Sequence, residues 1–474
     1  MKYPRDLLGY GKTPPKVTWP KRAKIAVQFV INYEEGGENC LLHGDNASEA
    51  FLSEIVGAEP WPGKRHINME SIYDYGARSG FWRLHRLFTS ENIPVTVYGV
   101  ATALARSPMQ VKAMQSAKWE IASHGFKWIE YRNFSKKKEK NFLQKAIKVH
   151  TAATGSPPKG WYLGRCTENT VALASELGSF EYISDAYDDD LPYWIKIKNI
   201  PQLIIPYTLD MNDMRFATQQ GFNSWSQFLD YLKGSFDILY EEGIAGFPKM
   251  MSIGLHCRLS GRPGRLMAIR EFINYTKSFK DVWYARRVDI AEHWKKYYPP
   301  LENEIEPYGL TKGEFVKTFG NIFEHSSWIV ERAYERGQNP SMKSPEALHS
   351  FLCFEFRMAN DKEKLKVLKA HPDLALDNNK LSKKLTNSSR MEQSRAGLTT
   401  LSDIQQEEFN QLNYQYKKKF KHPFIVAVKG KTKAQIIREF KSRLSNAKAE
   451  EFTIACGEVE KIASFRIREL FEKK

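Results

Sequence analysis

The chain has few cysteines, and their spacing suggests neither a disulfide framework nor a cysteine-based metal site. They are odd in number and far apart, with no CxxC pair, as is typical of free thiols in a reducing compartment. They are Cys40, Cys166, Cys257, Cys353 and Cys456. No apolar run approaches membrane-spanning length, and the opening segment MKYPRDLLGYGKTPP lacks an apolar core of signal-peptide length. We therefore expect a soluble, cytoplasmic protein with no membrane partner.

The chain also lacks the motifs of nucleic-acid-binding proteins, since it has no zinc finger, RNP-type motif or localised basic arm. Of the formal net charge of +16, +9 falls in residues 1–300 and +7 in residues 301–474, so the excess is not localised. The lysine runs Lys136–Lys138 and Lys417–Lys419 are interpreted as solvated faces, which also attract anionic small molecules. We expect no nucleic-acid partner. An RNA-binding protein is a weaker alternative, which predicts salt-sensitive retention on nucleic acid.

The first 300 residues alternate short apolar runs with longer amphipathic stretches, which indicates strands and helices in succession. The predicted strands are Lys24–Asn32, Pro94–Ala101, Trp119–Ser123, Tyr182–Asp185, Leu203–Tyr207, Met250–His256 and Val282–Arg286. Seven such strands favour an α/β barrel. The residues at or just past the strand ends are Glu34, Glu35, His124, Asp185 and His256. In a parallel barrel this rim is where active sites are built.

The composition changes at HWKKYYPPLENEIEPYG, where three prolines and an acidic cluster predict a linker. Beyond it the apolar residues recur three and four apart in FVKTFGNIFEHSSWIVERAY, EKLKVLKAHP and EVEKIASFRIREL, a helical pattern. A β-rich exception is Phe424–Val428. We predict a barrel in residues 1–300, a linker in residues 301–311 and an all-helical domain in residues 312–474.

The barrel half resembles the metal-independent allantoinases of the polysaccharide-deacetylase superfamily. The matching stretches are NYEEGGENCLLHGD, RHINMESIYDYGARSGFWRL, EIASHGFKW, GWYLGRCTENT, DDLPYW, PYTLDMNDMRF and PKMMSIGLHCRLSGRPGR. Metal-dependent relatives hold their ion with two histidines four residues apart and an upstream aspartate. Here His124 is kept, Trp128 stands at the second histidine, and Glu34-Glu35 replace two aspartates. The resemblance implies a deformed (β/α) barrel without a metal that opens the hydantoin ring of allantoin.

Ring opening needs an activated water, donors for the oxyanion and an acid for the leaving nitrogen. Glu34 or Glu35 is the candidate base, although the pair would also serve as a cap for the following segment. His124 would position water or polarise the carbonyl, and its alternative is a hydrogen-bonded core histidine. His256, at the position of the superfamily's late histidine, is the candidate acid.

The remaining candidates in the barrel half are substrate-binding residues, and each has a structural alternative. Arg165 would hold substrate oxygens through its planar fork, unless it forms a structural salt bridge. Asp213 would line the pocket or cap a turn. His66 and Arg258 are weaker candidates, and Trp128 is assigned to the same pocket.

The helical half resembles a second family, the 2-oxo-4-hydroxy-4-carboxy-5-ureidoimidazoline (OHCU) decarboxylases. The matching stretches are FEHSSW, KAHPDLA, SSRMEQSRAGLTTL, FNQLNYQYKKKFKHPFIVAVKGKT, SRLSN and EVEKIASFRIREL, in an order and spacing that cover the domain. This family is all-helical and uses neither a metal nor an organic cofactor. Loss of carbon dioxide requires only orientation of the substrate and a proton donor.

The resemblance assigns His371 as the acid. Pro372 should end the helix at this histidine and so expose the imidazole at the helix terminus. Glu392 would orient this histidine or bind the ureido group, and Arg466 would hold a carboxylate or carbonyl. The alternative for the last two is a surface pair on a helix. Residues predicted to line the pocket are Pro372, Ser389, Gln393, Phe424, Ile425, Val426 and Val428.

Together the two resemblances imply consecutive steps of urate breakdown, because OHCU decarboxylation yields (S)-allantoin, the substrate of the ring-opening step. We expect small-molecule substrates (OHCU and allantoin), no cofactor and, from both resemblances, a homo-oligomer. The alternative within enzymes is a deacetylase or amidase acting on another small amide, with the helical half as a noncatalytic oligomerisation module. Chelator sensitivity and the effect of His371→Ala on decarboxylation would discriminate between them.

Overall fold

The structure is a computed structural model. It describes residues 5–7, 9–11, 14–178, 180–198, 200–300, 307–338, 342, 344–375 and 387–472. The chain forms two compact units, Lys12–Pro300 and Leu301–Lys474, the latter together with Met1–Gly11. Most of the predicted linker, residues 301–306, lies outside the described residues.

The unit Lys12–Pro300 is built on one curled sheet of nine strands. They are β1 Ile25–Tyr33, β2 Val95–Gly99, β3 Glu120–Ser123, β4 Gly160–Trp161, β5 Tyr182–Ile183, β6 Tyr193–Ile197, β7 Ile200–Ile204, β8 Lys249–His256 and β9 Val282–Tyr284. Their order is β6-β7-β5-β4-β3-β2-β1-β8, with β9 paired to β1. Only β6 and β7 pair antiparallel among the described pairs. In the described sheet β6 and β8 end the strand order, and β8 is bridged through Gly254 to Asn212, so the predicted deformed barrel is confirmed as an open one.

All seven predicted strands are present, with shifted boundaries, whereas β4 and β6 were not predicted. The run Leu203–Tyr207 overlaps β7 only at its end. Strand β4 has two residues, too few for any periodicity to be visible. Strand β6 is half-buried along its whole length, so it shows no apolar alternation. The central strand β1 is buried at every position, as expected for a parallel strand covered on both faces.

Helices of the first unit connect and cover these strands. They are α1 Ile67–Tyr75, α2 Phe81–Ser90, α3 Ala101–Arg106, α4 Pro108–Ser116, α5 Lys136–Thr154, α6 Thr170–Glu176, α7 Trp225–Ile244, α8 Pro263–Lys277 and α9 Arg287–Tyr297. A π-helical turn, Gly76–Gly80, joins α1 to α2. The main apolar core lies between the sheet and helices α1, α2, α4, α7 and α8.

The second unit is helical, as predicted. Its helices are α10 Lys312–Phe319, α11 Trp328–Arg336, α12 Pro345–Met358, α13 Asp361–Ala370, α14 Asn387–Arg395, α15 Asp403–Phe420, α16 Lys433–Arg443 and α17 Lys448–Glu472. Two apolar clusters hold it together, one around α10–α13 and α17, the other around α15 and α16. In the part of the chain that the structure describes, no helix is long and apolar enough to cross a bilayer.

The structure adds two details to the helical pattern predicted for the second unit. The run FVKTFGNIFEHSSWIVERAY is not one helix, because α10 ends at Phe319 and α11 begins at Trp328. The break includes His325 at φ +46°, outside the helical region. The β-rich run Phe424–Val428 forms no strand, since described residues 421–428 carry no ladder pairing; it is a buried, non-helical segment.

Candidate active sites

Sheet register brings three predicted residues of the first unit to one edge. Tyr33 on β1 pairs with Gly99 on β2, and Gly99 pairs with Ser123 on β3. On the other side of β1, Asn32 pairs with His256. Glu34, His124 and His256 therefore converge at the carboxyl ends of neighbouring parallel strands, where barrel enzymes place their catalytic groups.

Glu34 is the centre of this cluster. Its Oε1 lies 3.2 Å from Nε2 of His124 and 3.5 Å from Nε2 of His256. Its Oε2 accepts a 2.6 Å hydrogen bond from Nη2 of Arg258. All four side chains are at most 3% exposed. One carboxylate thus joins two imidazoles and a guanidinium away from bulk water.

The two histidines differ in protonation. Burial favours neutral Glu34, but the positive charge of Arg258, His256 and the hydrogen bond from His124 hold its pKa well below the usual range. Burial also opposes charge on His256, yet Glu34 and Asp213 raise its pKa to about 9. For His124 burial prevails and lowers the pKa. At neutral pH the site therefore contains an ionised carboxylate between an imidazolium, His256, and a neutral imidazole, His124.

The carboxylate of Asp213 is hydrogen-bonded to His256 and does not face an open space. Its Oδ1 lies 2.6 Å from His256 Nδ1, and its Oδ2 accepts hydrogen bonds from the backbone N–H groups of His256 and Ser260. The carboxylate is completely buried at the start of a 3-10 turn, Asp213–Ala217. A buried carboxylate on one ring nitrogen fixes the orientation and charge of the imidazole. The predicted pocket role of Asp213 is thus replaced by a positioning role.

Glu35 lies beside the cluster and contacts neither histidine. Its pKa is raised, mainly by burial, which would suit a general base. Its position does not, because the carboxylate is wedged against Gly76 so closely that a Cβ there would collide with it. Its Oε2 accepts from the backbone N–H of Glu34. A base must reach the proton that it removes, and this carboxylate is held against Gly76 and the backbone of Glu34 instead of the histidines.

The other predicted residues surround this cluster in different ways. Arg258 is fully buried and also donates to Leu52 O, so it is a partner of Glu34 and offers no exposed face. Trp128 stacks on Phe51, and the guanidinium of Arg165 lies 3.9 Å from its ring centroid. Arg165 keeps 17% of its side chain exposed. Its Nη2 also lies 3.8 Å from Oε1 of Glu49, so the structural salt bridge that was its alternative is present, while the exposed part of the side chain remains accessible to a ligand.

His66 and Asp185 act on the backbone. His66 accepts from Met69 N at the start of α1 and stacks on Trp61, so it caps a helix. Asp185 accepts from the N–H groups of Leu163 and Gly164 and fixes the loop that leads into Arg165.

In the second unit a single cavity collects the predicted site residues. Ten of the twelve lining residues were predicted; the other two are Leu374 and Ile462. The lining is His371, Pro372, Leu374, Ser389, Glu392, Gln393, Phe424, Ile425, Val426, Val428, Ile462 and Arg466. Parts of the chain that are distant in sequence therefore meet around this cavity.

His371 lies at the carboxyl end of α13, as predicted, but its imidazole is buried, only 7% exposed, and does not project into solvent. Its Nδ1 lies 2.8 Å from Val367 O. Because a carbonyl only accepts, Nδ1 carries the proton of the neutral ring and Nε2 keeps a lone pair. Burial lowers the pKa of His371 to about 4. The ring is thus neutral at physiological pH, so it can accept a proton before it donates one.

Arg466 on α17 joins the polar residues of the cavity. Its Nε donates to Glu392 Oε1 at 2.8 Å, and its Nη2 donates to Ser389 Oγ at 3.0 Å. Nη2 also lies 2.9 Å from Glu324 Oε2. With a side chain only 5% exposed, this arginine is an interior ion pair, and the surface-pair alternative for Glu392 and Arg466 does not hold.

The segment Phe424–Val428 is held by groups outside the cavity. Arg443 donates to Ile425 O at 2.9 Å, and Glu458 accepts from Ala427 N at 2.8 Å. Some of the backbone groups that were expected to face a ligand are therefore used within the protein. Gln393 accepts from Ala375 N and fixes the turn after Pro372.

Comparison with known proteins agrees with this geometry. A polysaccharide deacetylase family model matches residues 66–180, and an OHCU decarboxylase family model matches residues 309–468. A putative polysaccharide deacetylase from Schizosaccharomyces pombe is 40% identical over 314 residues, 62% of this chain and 98% of its own length. The crystal structure of Puue allantoinase is 53% identical, with a TM-score of 0.63, over 64% of this chain and 100% of that one. An OHCU decarboxylase from Haloferax volcanii is 35% identical over 165 residues, 35% of this chain and 94% of its own.

The chain is a fusion of a polysaccharide deacetylase family unit and an OHCU decarboxylase family unit. Both families are enzymes, so the chain combines a hydrolase with a lyase.

The deacetylase-family unit does not fit the metal ion that its fold implies. An indole, Trp128, stands where a second histidine ligand would be. The carboxylate of Glu34 is already engaged by Arg258 and both imidazoles. Within the described residues no three His, Cys, Asp or Glu side chains are grouped to hold a metal. The guanidinium of Arg258 supplies the positive charge beside Glu34.

Sequence reasoning missed Glu324 in the OHCU decarboxylase unit. This carboxylate is 1% exposed and contacts both Arg466 and Ser389. It lies in FEHSSW, a stretch that was recognised as characteristic of the family, but the helical interpretation of that stretch hid it. The break signalled by Gly320 and by the serines Ser326 and Ser327 could have shown that Glu324 is not on a helix face.

Proposed function

We propose that the deacetylase-family unit hydrolyses the hydantoin ring of allantoin to allantoate. The observation that carries this proposal is the carboxylate of Glu34 between a neutral and a charged imidazole, which supplies a base and an acid in one cluster. Support comes from the 53% identity to an allantoinase over the whole length of that structure.

The protonation states suggest the order of proton transfers. Since Nε2 of His124 faces an ionised carboxylate, it carries the proton and Nδ1 keeps the lone pair. Nδ1 of His124 is buried and has no hydrogen-bond partner among the described residues. His124 accepts a proton from water, and the resulting hydroxide attacks the ring carbonyl. The C–N bond then breaks and His256 donates its proton to the leaving nitrogen.

Glu34 connects His124 and His256 so that both can return to their starting protonation states. After one turnover His124 holds an extra proton and His256 lacks one. Glu34 Oε1 is within 3.5 Å of both Nε2 atoms, so the Nε2 proton of His124 passes through the carboxylate to His256. Exchange with water then moves the remaining proton of His124 from Nδ1 to Nε2, and the product carboxylic acid releases its proton to solvent, so each group returns to its starting state. Arg165, stacked on Trp128, holds the substrate oxygens.

The test is allantoate formation by purified protein from racemic allantoin, with and without exhaustive chelation, following which enantiomer disappears. We expect turnover that resists chelation. Loss of activity on chelation with recovery on adding zinc would overturn the mechanism, and no turnover at all would favour a different small amide as the substrate.

We propose that the second unit decarboxylates OHCU to (S)-allantoin. As the carboxyl C–C bond breaks, its electron pair enters the conjugated ring, the neutral His371 accepts the substrate hydroxyl proton, and a proton is returned to the ring carbon on one face. Glu392 accepts hydrogen bonds from the ureido group. The substrates are thus two small molecules, and the product of one unit is the substrate of the other.

Replacing Asp213 with asparagine is expected to narrow the pH range of ring opening. The acid form of His256 exists below its pKa of about 9 and is lost as the pH rises through that value. Asp213 is one of the charges that raise this pKa, so Asp213→Asn should move the alkaline limb of kcat/KM to lower pH. The nearby Asp210, exposed and bonded to Thr208 and Tyr231, gives the control Asp210→Asn. An alkaline limb at the same pH in both variants would refute the positioning role of Asp213.

A further inference from the structure

Glu324 is a buried carboxylate of the OHCU decarboxylase unit that has no role in the proposed decarboxylation steps. It follows α10 in the break before α11 and is 1% exposed. Its Oε2 accepts from Ser389 Oγ at 2.9 Å and lies 2.9 Å from Nη2 of Arg466. Two residues that line the substrate cavity are therefore held by a third that does not line it.

Glu324 is one of several partners that surround the guanidinium of Arg466. The Nε of this arginine donates to Glu392 and its Nη1 donates to Ile322 O at 3.3 Å, while Nη2 faces Glu324, Ser389 and Glu392. Every nitrogen of the guanidinium thus has a protein partner. Arg466 presents Glu392 to the cavity and has no nitrogen left over for a substrate carboxylate, contrary to its predicted role.

The charges of this network do not cancel. Two carboxylates face one guanidinium, which leaves one negative charge near the neutral His371. The charged or titratable groups that face His371 are Glu324 and His325 before α11, Glu392 on α14 and Arg466 on α17. A buried negative charge stabilises an imidazolium that forms during turnover.

We propose that Glu324 is a positioning residue of the decarboxylase site: it locks Arg466 and Ser389 against the substrate cavity and keeps a negative charge beside His371. This inference rests on the proposed OHCU decarboxylase function. Glu324 acts through Arg466, Ser389 and the field at His371, without touching the substrate.

The test compares Glu324→Gln and Glu324→Asp in the full chain, with OHCU as the substrate and the enantiomeric excess of allantoin as the readout. Glu324→Gln keeps the size and removes the charge, so we expect kcat to fall about 100-fold, as for a misplaced catalytic group. The negative charge of Glu324 raises the pKa of His371. Its loss should therefore move the acid limb of kcat/KM to lower pH, a change that a merely structural residue would not produce. Glu324→Asp keeps the charge, so its acid limb should match that of the wild type while kcat falls about 10-fold.

The matched control is Glu346→Gln. Glu346 also pairs with an arginine of α17, Arg468, but on the surface, where Glu346 is 65% exposed. It should leave kcat and the pH profile unchanged. Wild-type kcat and acid limb in Glu324→Gln would overturn the inference. If Glu324→Gln does not fold, the test rests on Glu324→Asp. A wild-type kcat in Glu324→Asp would also overturn the inference. A wild-type chain that forms no (S)-allantoin from OHCU would instead refute the proposed function.

Discussion

Glu34→Gln is expected to lower the kcat of allantoin ring opening by about 1,000-fold or more, because it removes two catalytic effects together. An amide carries no charge, so the pKa of His256, which Glu34 raises, falls and less of the acid form is present at neutral pH. The amide also offers one acceptor oxygen and an NH₂ group, so it cannot carry a proton from His124 to His256. Allantoate formation under saturating allantoin measures the loss.

Glu35→Gln provides the comparison within the same dipeptide. Glu35 contacts neither histidine, and its nearest cationic atom, Arg258 Nη1, is 3.6 Å away. We expect its kcat to stay within about 10-fold of the wild type, because a carboxyl group and an amide differ little in shape and Glu35 has no role in the proposed proton transfers. Decarboxylation by the second unit serves as an internal control for the amount of intact chain in each variant. If Glu35→Gln abolished ring opening and Glu34→Gln did not, the base would be Glu35 and the relay through Glu34 would be refuted.

The positions of the strand ends could be read from the sequence, and with them the main residues of the first site. Apolar runs predict where β1, β3 and β8 end, and a parallel sheet places those ends together. The sequence could not decide between Glu34 and Glu35. Adjacent residues after a strand point in opposite directions, and only the packing of Gly76 against Glu35 shows which carboxylate faces the histidines.

Roles that depend on long-range partners were harder to predict than positions. Arg258 was expected to meet substrate, yet its partner is Glu34, more than 200 residues away in the chain. The same holds for Arg466, whose carboxylate partners come from two other segments. A buried arginine and a ligand-binding arginine have the same local sequence pattern, and only the surrounding carboxylates distinguish them.

In both candidate sites a buried arginine is hydrogen-bonded to a carboxylate of the proposed mechanism. In the first site Arg258 holds Glu34, and in the second Arg466 holds Glu392. A guanidinium remains charged at any pH that the protein experiences and its fork fixes the carboxylate plane. Each carboxylate therefore lies beside a fixed positive charge while the proposed proton transfers take place.

His371→Asn is expected to lower the kcat of OHCU decarboxylation by about 10²- to 10⁴-fold, the range for loss of a general acid–base group. The asparagine amide can still donate to Val367 O, as Nδ1 of the imidazole does, so the end of α13 is preserved. What disappears is Nε2, the nitrogen that accepts and returns the proton. Allantoin that still forms should lose its excess of the S enantiomer, because protonation from solvent reaches both faces of the ring.

The control for His371→Asn is His349→Asn in the same unit. His349 contacts Cys353 and Glu460 O and does not line the cavity. Ring opening of allantoin should be unchanged in both variants, since it depends on residues of the other unit.

The pKa of His371, lowered to about 4, also predicts the pH profile of the wild type. Its kcat/KM should stay level from neutral pH downwards and fall only as the pH approaches about 4, where the imidazole becomes protonated. An acid limb near the ordinary pKa of histidine would mean that the substrate meets a solvated imidazole, and a wild-type enantiomeric excess in His371→Asn would assign the proton transfer to another residue.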